Sequence, residues 1–430
     1  MKKLLFILLL ARPFLATAER MDSLCSSGLS ETLFVPISAV AQESEPLSVD
    51  VKGFVDTYHA LRSESGHDWM SSRSRVRGEV TLSKGGAGAF VSANLVYNSI
   101  LKERSGLQVR EAYMWWGNDH WDLRAGRQII TWGVADGLRV TDIISPMDYT
   151  EFLAQDYDDI RIPVGGLRLR YMRDRWNLEA VAVPVASFFE LPVEPHNPWS
   201  VLPTGMPMPV QGSMGTTPAA KLENMEYGAR FSMFLNGIDF SICALETWNK
   251  MPVFTTDVQA GTIIMTGQYR RMTMVGADVS LPVGEFVIRG EGAQYFDEAQ
   301  TPAAGTEIPR SGTANALLGI DWYAGNDWNL SAQYSYKYIE DYKPAISGKQ
   351  HTHMGTFRIS KSLLNNTLSL QSFAYMDLSD GGIYNRLSAD YAMNDQMHLM
   401  LGYDLFHADK GMFRMYDHNS EYWLKLKYNF

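Results

Sequence analysis

The last ten residues, EYWLKLKYNF, restrict the fold more than any other stretch of the chain. Apolar or aromatic side chains occupy every second position, and Glu421, Lys425, Lys427 and Asn429 fill most of the positions between them. A period of two predicts a β-strand with one apolar and one polar face. The apolar positions of this strand are Tyr422, Leu424, Leu426, Tyr428 and Phe430.

This final strand resembles the closing strand of Gram-negative outer-membrane β-barrels, in which such a pattern is the sorting signal read by the barrel-assembly machinery. The resemblance implies that the five apolar residues act as that signal. It also implies that the protein lies in the outer membrane, with its lipids and the assembly machinery as partners. The alternative is an edge strand that happens to end a soluble domain.

The start of the chain has the plan of a secretory signal. Lys2 and Lys3 precede an apolar run and then small residues. Cleavage fits after Ala18, and it also fits after Ala41, which ends a second small-residue motif. We therefore expect residues 1–41 to be a signal peptide and processed segment, so that the protein is exported.

Composition restricts the remaining chain, residues 42–430, which we expect to form one domain. No apolar run approaches the roughly 20 residues that a membrane helix needs. The mean hydropathy of -0.17 suits a soluble protein and equally a barrel with alternating strands. Only Cys25 and Cys243 are present, so a disulfide framework is excluded. The net charge of -10 argues against nucleic acid as a partner.

Segments of period two bounded by turn residues recur along the whole chain. Every second connection is short and built from turn formers, as in Asn236-Gly237. This alternation predicts an all-β fold, a transmembrane antiparallel β-barrel of about 16 to 18 strands with short periplasmic turns and long extracellular loops. The predicted strands are 47–61, 71–83, 87–100, 107–117, 120–131, 163–173, 176–187, 225–235, 238–249, 267–281, 285–296, 312–323, 327–341, 351–362, 366–378, 381–392, 396–406 and 418–430.

Charged side chains occupy one face of many predicted strands. In segment 71–83 an arginine-rich face alternates with an apolar face, and an arginine on the lipid side at mid-bilayer costs about 2 to 4 kcal/mol. The charged face is therefore expected to line the pore. The predicted pore-lining residues are Arg73, Arg75, Arg77, Glu79, Arg124, Arg168, Arg170, Glu226, Arg230, Arg289, Glu291 and Arg358.

Two interpretations of these arginines remain open. A solvated cationic wall would attract anionic or hydroxyl-rich solutes through its fixed charge. Alternatively, each arginine pairs with an aspartate or glutamate and holds the wall rigid.

Aromatic residues lie near the ends of the predicted strands, where we expect them to form outward-facing girdles at the membrane interfaces. These residues are Trp115, Trp116, Trp121, Trp176, Tyr323, Trp328 and Trp423.

Two connections, roughly 132–162 and 188–224, are too long to be simple links. The first is rich in acidic residues, and the second is rich in proline and methionine. In a barrel we expect both to fold inward as a constriction or lid. The alternative is a pair of exposed surface loops without a specific role.

The stretch GRQ at 126–128, followed by Trp132-Gly133, resembles the GRQ-x3-WG strand and corner of porin-like outer-membrane proteins. These include alginate-export-type barrels and an uncharacterised porin-like family with a downstream NP-x-D element. Ser145-Pro146-Met147-Asp148 stands in that place, with serine instead of asparagine. The resemblance implies passage of a solute across the outer membrane and leaves the solute open.

Some outer-membrane barrels are hydrolases, so an active site in this barrel is a further possibility. Histidines such as His351 and His407 lie near acidic residues in predicted loops, yet the sequence has no nucleophile motif, no phosphate-binding loop and no Cys/His metal spacing. We expect no enzyme activity, cofactor or metal. The sequence favours a channel for small solutes. The alternative function is a closed barrel that acts as a surface binding or assembly scaffold, and a hydrolase is the third candidate function. The sequence leaves the oligomeric state open.

Overall fold

The computed structural model describes residues 46–64, 66–152, 159–203, 205–303 and 305–430. The predicted signal segment, residues 1–41, lies outside the described residues. Within the described part, short 3-10 helices cover Lys102–Arg104, Leu222–Asn224 and Arg414–Tyr416. No helix in these ranges is long and apolar enough to cross a membrane.

The remaining regular structure is β-strand. In chain order the strands are β1 (Ser48–Arg62), β2 (Trp69–Lys84), β3 (Ala87–Asn98), β4 (Gly106–Gly117), β5 (Trp121–Gln128), β6 (Val164–Arg173), β7 (Trp176–Val183), β8 (Val210–Ser213), β9 (Glu226–Leu235), β10 (Ile238–Trp248), β11 (Val253–Gln259), β12 (Thr262–Gln268), β13 (Arg271–Val283), β14 (Phe286–Ala299), β15 (Arg310–Tyr323), β16 (Trp328–Ile339), β17 (His351–Leu363), β18 (Leu368–Asp377), β19 (Gly382–Ala392), β20 (Met397–His407) and β21 (Glu421–Asn429).

Eighteen of these strands form one closed antiparallel barrel. Each strand pairs with its neighbours in the series, and β1 pairs with β21 from Phe54 opposite Asn429 to Arg62 opposite Glu421. Because the first strand pairs with the last, the sheet formed by the described strands has no free edge. The predicted fold class is confirmed, at the upper limit of the predicted strand number.

The two faces of the barrel wall have opposite chemistry. In β2 the side chains of Arg73, Arg75 and Arg77 are buried, whereas Val76 and Val80 on the opposite face are exposed. All five apolar residues of the final strand are likewise exposed. A polar interior and an apolar exterior are the reverse of a soluble sheet, and they suit a wall that is surrounded by lipid.

Two of the aromatic residues expected in the outer girdles, Trp115 and Trp423, face inward instead. Each indole covers a glycine on a neighbouring strand. A Cβ atom at Gly88 would lie 2.2 Å from the Trp115 ring, and one at Gly402 would lie 2.3 Å from the Trp423 ring. The bare backbone at these glycines leaves space on the inner wall, and the indoles fill it.

Three strands outside the barrel were not predicted. β12 pairs antiparallel with β11 and parallel with β8 to form a small separate sheet. β8 belongs to the connection between β7 and β9, and the β11–β12 hairpin lies between β10 and β13. Both connections leave the barrel at the end that carries the long loops.

Candidate pore and its inward-folding loops

The connection between β5 and β6, residues 129–163, crosses the barrel interior. Its Asp136 carboxylate pairs with Arg358 of β17 at 2.8 Å, and its Gly137 carbonyl accepts a 3.1 Å hydrogen bond from Tyr375 of β18. β17 lies nine places from β5 in the ring of 18 strands, counted through β6, β7, β9, β10 and β13 to β16. It is therefore on the opposite wall, and the prediction that this loop folds inward is confirmed.

Glu291 of β14 anchors the middle of this loop. Its carboxylate accepts hydrogen bonds from the backbone N–H groups of Val134 (2.5 Å), Ala135 (2.6 Å) and Thr141 (3.0 Å), and from the Thr141 hydroxyl (3.0 Å). Gly133 has φ of 86°, and a Cβ atom there would lie 2.6 Å from a Glu291 oxygen. The close approach of loop and wall therefore requires glycine at this position.

Every predicted wall arginine has a carboxylate partner, at N to O distances of 2.5 to 3.5 Å. Each of these nine arginines is therefore ion-paired, as the second interpretation expects. The pairs are Arg73 with Glu151, Arg75 with Asp56 and Asp159, Arg77 with Asp159, Arg124 and Arg170 with Asp122, Arg168 with Glu179, Arg230 with Asp278, Arg289 with Asp321, and Arg358 with Asp136.

The other two predicted acids also have partners. Glu79 accepts a hydrogen bond from Ser92 at 3.0 Å. Glu226 pairs at 2.6 Å with Lys250, a loop residue beyond β10, and it accepts a hydrogen bond from Thr247. Burial lowers the pKa of Lys250, and the Glu226 carboxylate partly offsets that effect.

Asp159 fastens the far end of the first loop to the wall. It pairs with Arg75 and Arg77, each at 2.8 Å, and lies 3.6 Å from Arg110. Burial alone would raise the pKa of Asp159, but the three guanidinium groups lower that pKa well below its ordinary value. This contact therefore keeps its charge well into the acid range.

The second long connection, residues 184–225, packs onto the first through aromatic rings. Trp199 is 1% exposed, and its ring centroid lies 5.8 Å from that of Phe152 in the first loop. It also lies 5.7 Å from Phe406 of β20 and 5.9 Å from Tyr416 in the β20–β21 connection. These four rings, which we call the Trp199 cluster, join both loops to the wall opposite β7. The predicted inward folding of residues 188–224 is confirmed for this part.

Arg104, in the connection between β3 and β4, ties both long loops together. Its guanidinium bonds Asp148 of the first loop and Glu190 of the second, the latter at 2.6 Å. Next to it, His196 of the second loop lies 3.1 Å from Glu103. Burial and the nearby Glu190 raise the pKa of Asp148, against the opposing effect of Arg104. We call this group of contacts the Arg104 clamp.

The interior is open on the side of the short turns. A cavity of about 460 Å³ lies against β6, β7, β9, β10, β13 and β14. It extends from Phe234 and Asp239, which flank the short turn at 236–237, up to Val134 of the first loop. A second cavity of about 220 Å³ lies against β1, β2 and β18 to β21 on the other wall. The loops therefore fill the half of the interior that faces the long connections.

Sequence reasoning missed the acids that pair with the arginines. Asp56 stands directly opposite Arg75 in the β1–β2 register, and Glu179 stands opposite Arg170 in the β6–β7 register. Aligning β6 and β7 on their short turn at 174–175 places Glu179 on the same face as the arginines, and that alignment is the signal available in the sequence. β1 and β2 are joined on the side of the long connections, so no short turn sets the register of Asp56 with Arg75.

His351 and His353 lie outside the pore. On the outward face of the wall, His351 forms a 2.7 Å hydrogen bond with Tyr336, and His353 forms one of 2.7 Å with Tyr334. Among the residues with described positions, no group of three or more His, Cys, Asp or Glu side chains could hold a metal ion.

Residues 55–411 match the family model described as "Protein of unknown function (DUF1302)". No curated protein matches the chain. Its fold is similar to that of OccAB3 from Acinetobacter baumannii, with a TM-score of 0.52, 10% sequence identity and coverage of 89% of this chain and 99% of the other. OccK2 (OpdF) from Pseudomonas aeruginosa, solved in complex with glucuronate, gives a TM-score of 0.54, 10% identity and coverage of 89% and 97%. OccK11 (OpdR) of the same organism gives a TM-score of 0.53 and 10% sequence identity, with coverage of 89% of this chain and 95% of the other. The resemblance to alginate-export-type barrels stays a prediction.

Proposed function

The chain belongs to the DUF1302 family of proteins of unknown function, and from this membership and the closed barrel we propose that it is a channel of the Gram-negative outer membrane for small hydrophilic solutes. The observation that carries the proposal is the closed 18-strand wall with an apolar exterior and a polar, partly open interior. A wall of this kind satisfies its backbone hydrogen bonds in lipid and offers water and solute a polar path. We also propose that the protein is not an enzyme.

The solved structures that share the fold support a channel, since they are outer-membrane channels. One of them holds glucuronate, a hydroxylated sugar acid. For this chain we propose passive or facilitated passage, in which the two inward-folding loops act as the gate and the paired arginines form the wall of the path. The gate is proposed because the loops fill the half of the interior that faces the long connections.

The two chain ends suit export to that membrane. We propose that residues 1–41 are removed as a signal peptide and processed segment, and that residues 42–430 form the barrel. We further propose that Tyr422, Leu424, Leu426, Tyr428 and Phe430 are read by the assembly machinery. Both barrel termini lie on the side of the short turns, which is the periplasmic side in outer-membrane barrels.

Single-channel recording of the purified, refolded protein in a planar bilayer tests the proposal. We expect discrete conductance steps. In a salt gradient the reversal potential should stay close to zero, because paired wall charges give little ion selectivity. A strong anion preference would show that the arginines act as a free cationic wall. Silence from a barrel whose folding is verified by circular dichroism would overturn the channel.

A second candidate function is favoured by the packing of the two long loops. The Trp199 cluster and the Arg104 clamp hold these loops together across the barrel, as expected of a closed barrel that presents a fixed surface to a binding or assembly partner. This scaffold would be silent in the bilayer, both unmodified and after the clamp is removed. A channel would conduct unmodified and would open more often after the clamp is removed.

A further inference from the structure

The larger interior cavity, which we call the vestibule, has the volume of a ligand site. It measures about 460 Å³, within the range of roughly 300 to 1,000 Å³ that is common for small-molecule pockets. Its roof is the first loop, where Arg289 donates a 3.2 Å hydrogen bond to the carbonyl of Val134. Its mouth is at the short turn 236–237, between Phe234 and Asp239. It therefore opens toward the proposed periplasmic side.

The fixed charges of the vestibule nearly cancel. Four guanidinium groups line it, those of Arg168, Arg170, Arg230 and Arg289. Each is paired with a carboxylate, at distances between 2.5 and 3.0 Å. Asp239 adds a carboxylate at the mouth, for which the described residues show no ion pair. An anion that enters would meet this carboxylate and would have to compete with existing partners for every guanidinium group.

Hydroxyl and amide groups supply the remaining polar contacts. Arg230 donates to the Ser241 hydroxyl at 3.0 Å, and Ser241 in turn donates to the Ser232 hydroxyl at 3.0 Å. Because Ser232 accepts the last of these hydrogen bonds, its own hydroxyl hydrogen is available to a ligand. Ser280 and Asn177 line the same cavity. A ligand with several hydroxyl groups would match this mixture of donors and acceptors without a net charge of its own.

One aromatic ring stands at the mouth of this polar space. Phe234 is 45% exposed although it lies on the inward face of β9, two residues from Ser232. An exposed phenyl ring offers an apolar face to a ligand, and a sugar ring has an apolar face made of C–H groups. The combination of paired charges, hydroxyls and one open ring favours a cyclic polyol over a simple ion.

We propose that the vestibule binds a neutral, polyhydroxylated solute of about the size of one or two sugar rings. The inference rests on the proposed channel function and names the solute class for it. The Ser232–Ser241 chain and the paired arginines bind the hydroxyl groups, and Phe234 packs against the C–H face. The Asp239 carboxylate disfavours anions at the mouth.

Saturation-transfer NMR on the detergent-solubilised barrel tests the solute class with three related pyranoses. Methyl glucoside is neutral, glucuronate carries a carboxylate and glucosamine carries an ammonium group. We expect methyl glucoside to bind more tightly than glucuronate. Phe234→Ala should weaken its binding by about fivefold, as expected for the loss of one ring contact. Phe240→Ala is the matched control, since Phe240 lies on the neighbouring strand with its side chain on the outward face, and we expect no change.

Asp239→Asn gives a second test that leaves the ring in place. It should raise glucuronate binding by a few fold and leave methyl glucoside binding unchanged. Tighter binding of glucuronate than of methyl glucoside by the unmodified protein would overturn the inference, as would equal effects of Phe234→Ala and Phe240→Ala. Bilayer recording of the same preparation separates the two proposals. A conducting barrel that binds no pyranose overturns only the solute class, whereas a barrel that binds but never conducts overturns the channel.

Discussion

At the scale of single residues, Glu291 determines where the first loop sits. Three backbone N–H groups converge on its carboxylate, and such groups would otherwise be buried without acceptors. Hydrogen bonds to a charged group contribute about 1.5 to 3 kcal/mol each. One wall residue thus holds a loop segment against a strand that lies 150 to 157 positions away in sequence.

Replacing Glu291 by alanine is expected to release residues 133–141 while the barrel stays folded. Because four hydrogen bonds to one carboxylate are lost, amide exchange in this segment should accelerate by at least about tenfold. Hydrogen–deuterium exchange followed by mass spectrometry measures this exchange rate. Glu298→Gln, on the same strand but paired with the wall residue Lys337 at 3.0 Å, is the control and should leave the loop unchanged. Unchanged exchange in Glu291→Ala would contradict the anchoring role.

The two acids that fasten the first loop should respond differently to pH. The pKa of Asp159 is lowered, so its stabilising contribution is present above its ordinary value near 3.9 and is lost only as the pH falls through its lower folded value. The pKa of Asp148 is raised, so it takes up a proton first as the pH falls and its bond to Arg104 weakens. A raised carboxyl pKa does not reduce the free energy of unfolding on acidification.

We therefore expect no release of the loop at Asp148 on mild acidification, because the closed state binds the proton more tightly than an open state in which Asp148 is solvated. Amide exchange near Asp148, corrected for the intrinsic effect of pH, should stay constant or slow as the pH falls, and exchange near Asp159 should rise only below the ordinary aspartate pKa. Asp148→Asn, which cannot titrate, should remove any pH dependence at this position. Release near Asp148 at a higher pH than near Asp159 would contradict this expectation.

At the scale of elements, closure of the barrel depends on a glycine opposite the chain terminus. Gly53 and Phe430 exchange two backbone hydrogen bonds, of 3.0 and 2.9 Å. A Cβ atom at Gly53 would lie 2.3 Å from the carbonyl oxygen of Arg77 and 2.7 Å from the Phe430 ring. β1 must therefore approach both neighbouring strands without a side chain at this point.

Gly53→Ala should destabilise the closed barrel by about 1 to 3 kcal/mol, the usual cost of overpacking. The temperature at which the folded band disappears on a heat-modifiability gel measures this change. Gly78 offers a matched control, because it stands directly opposite Gly53 in β2 and an added Cβ atom there meets nothing within 4 Å. Equal melting of Gly53→Ala and Gly78→Ala would show that the closing contact tolerates a side chain.

The strands of the barrel were predictable because each has one lipid face and one polar face, which a period of two reveals directly. β11 and β12 have no such division. β11 is buried or half-buried over its first three residues and exposed over its last four, and β12 is buried or half-buried throughout. β8 has only four residues and follows a proline-rich run. The pairing of Asp136 with Arg358 joins residues 222 positions apart, and no local pattern encodes which wall a loop meets.

At the scale of the whole molecule, the positive charges of the inner wall are neutralised by acidic partners. The chain carries a net charge of -10, yet the arginines of the inner wall are matched by acids from neighbouring strands and from the first loop. Three of these partners, Asp136, Glu151 and Asp159, belong to the loop itself. Movement of the loop would therefore expose unpaired arginines on the wall. Opening and a change in ion selectivity are thus expected to occur together.

Arg104→Ala tests this coupling, because Arg104 is bonded to both long loops at once through Asp148 and Glu190. Its removal leaves two carboxylates without a cation, so their repulsion favours separation of the loops. We expect more frequent openings in the planar bilayer and a shift of the reversal potential toward anions. Lys102→Ala is the control, since Lys102 lies in the same 3-10 helix and makes none of these loop contacts in the described structure. More openings without a shift toward anions would show that the loop acids stay on the wall and that the second loop alone is the gate. Silence of both the unmodified protein and the folded Arg104→Ala variant would favour the scaffold.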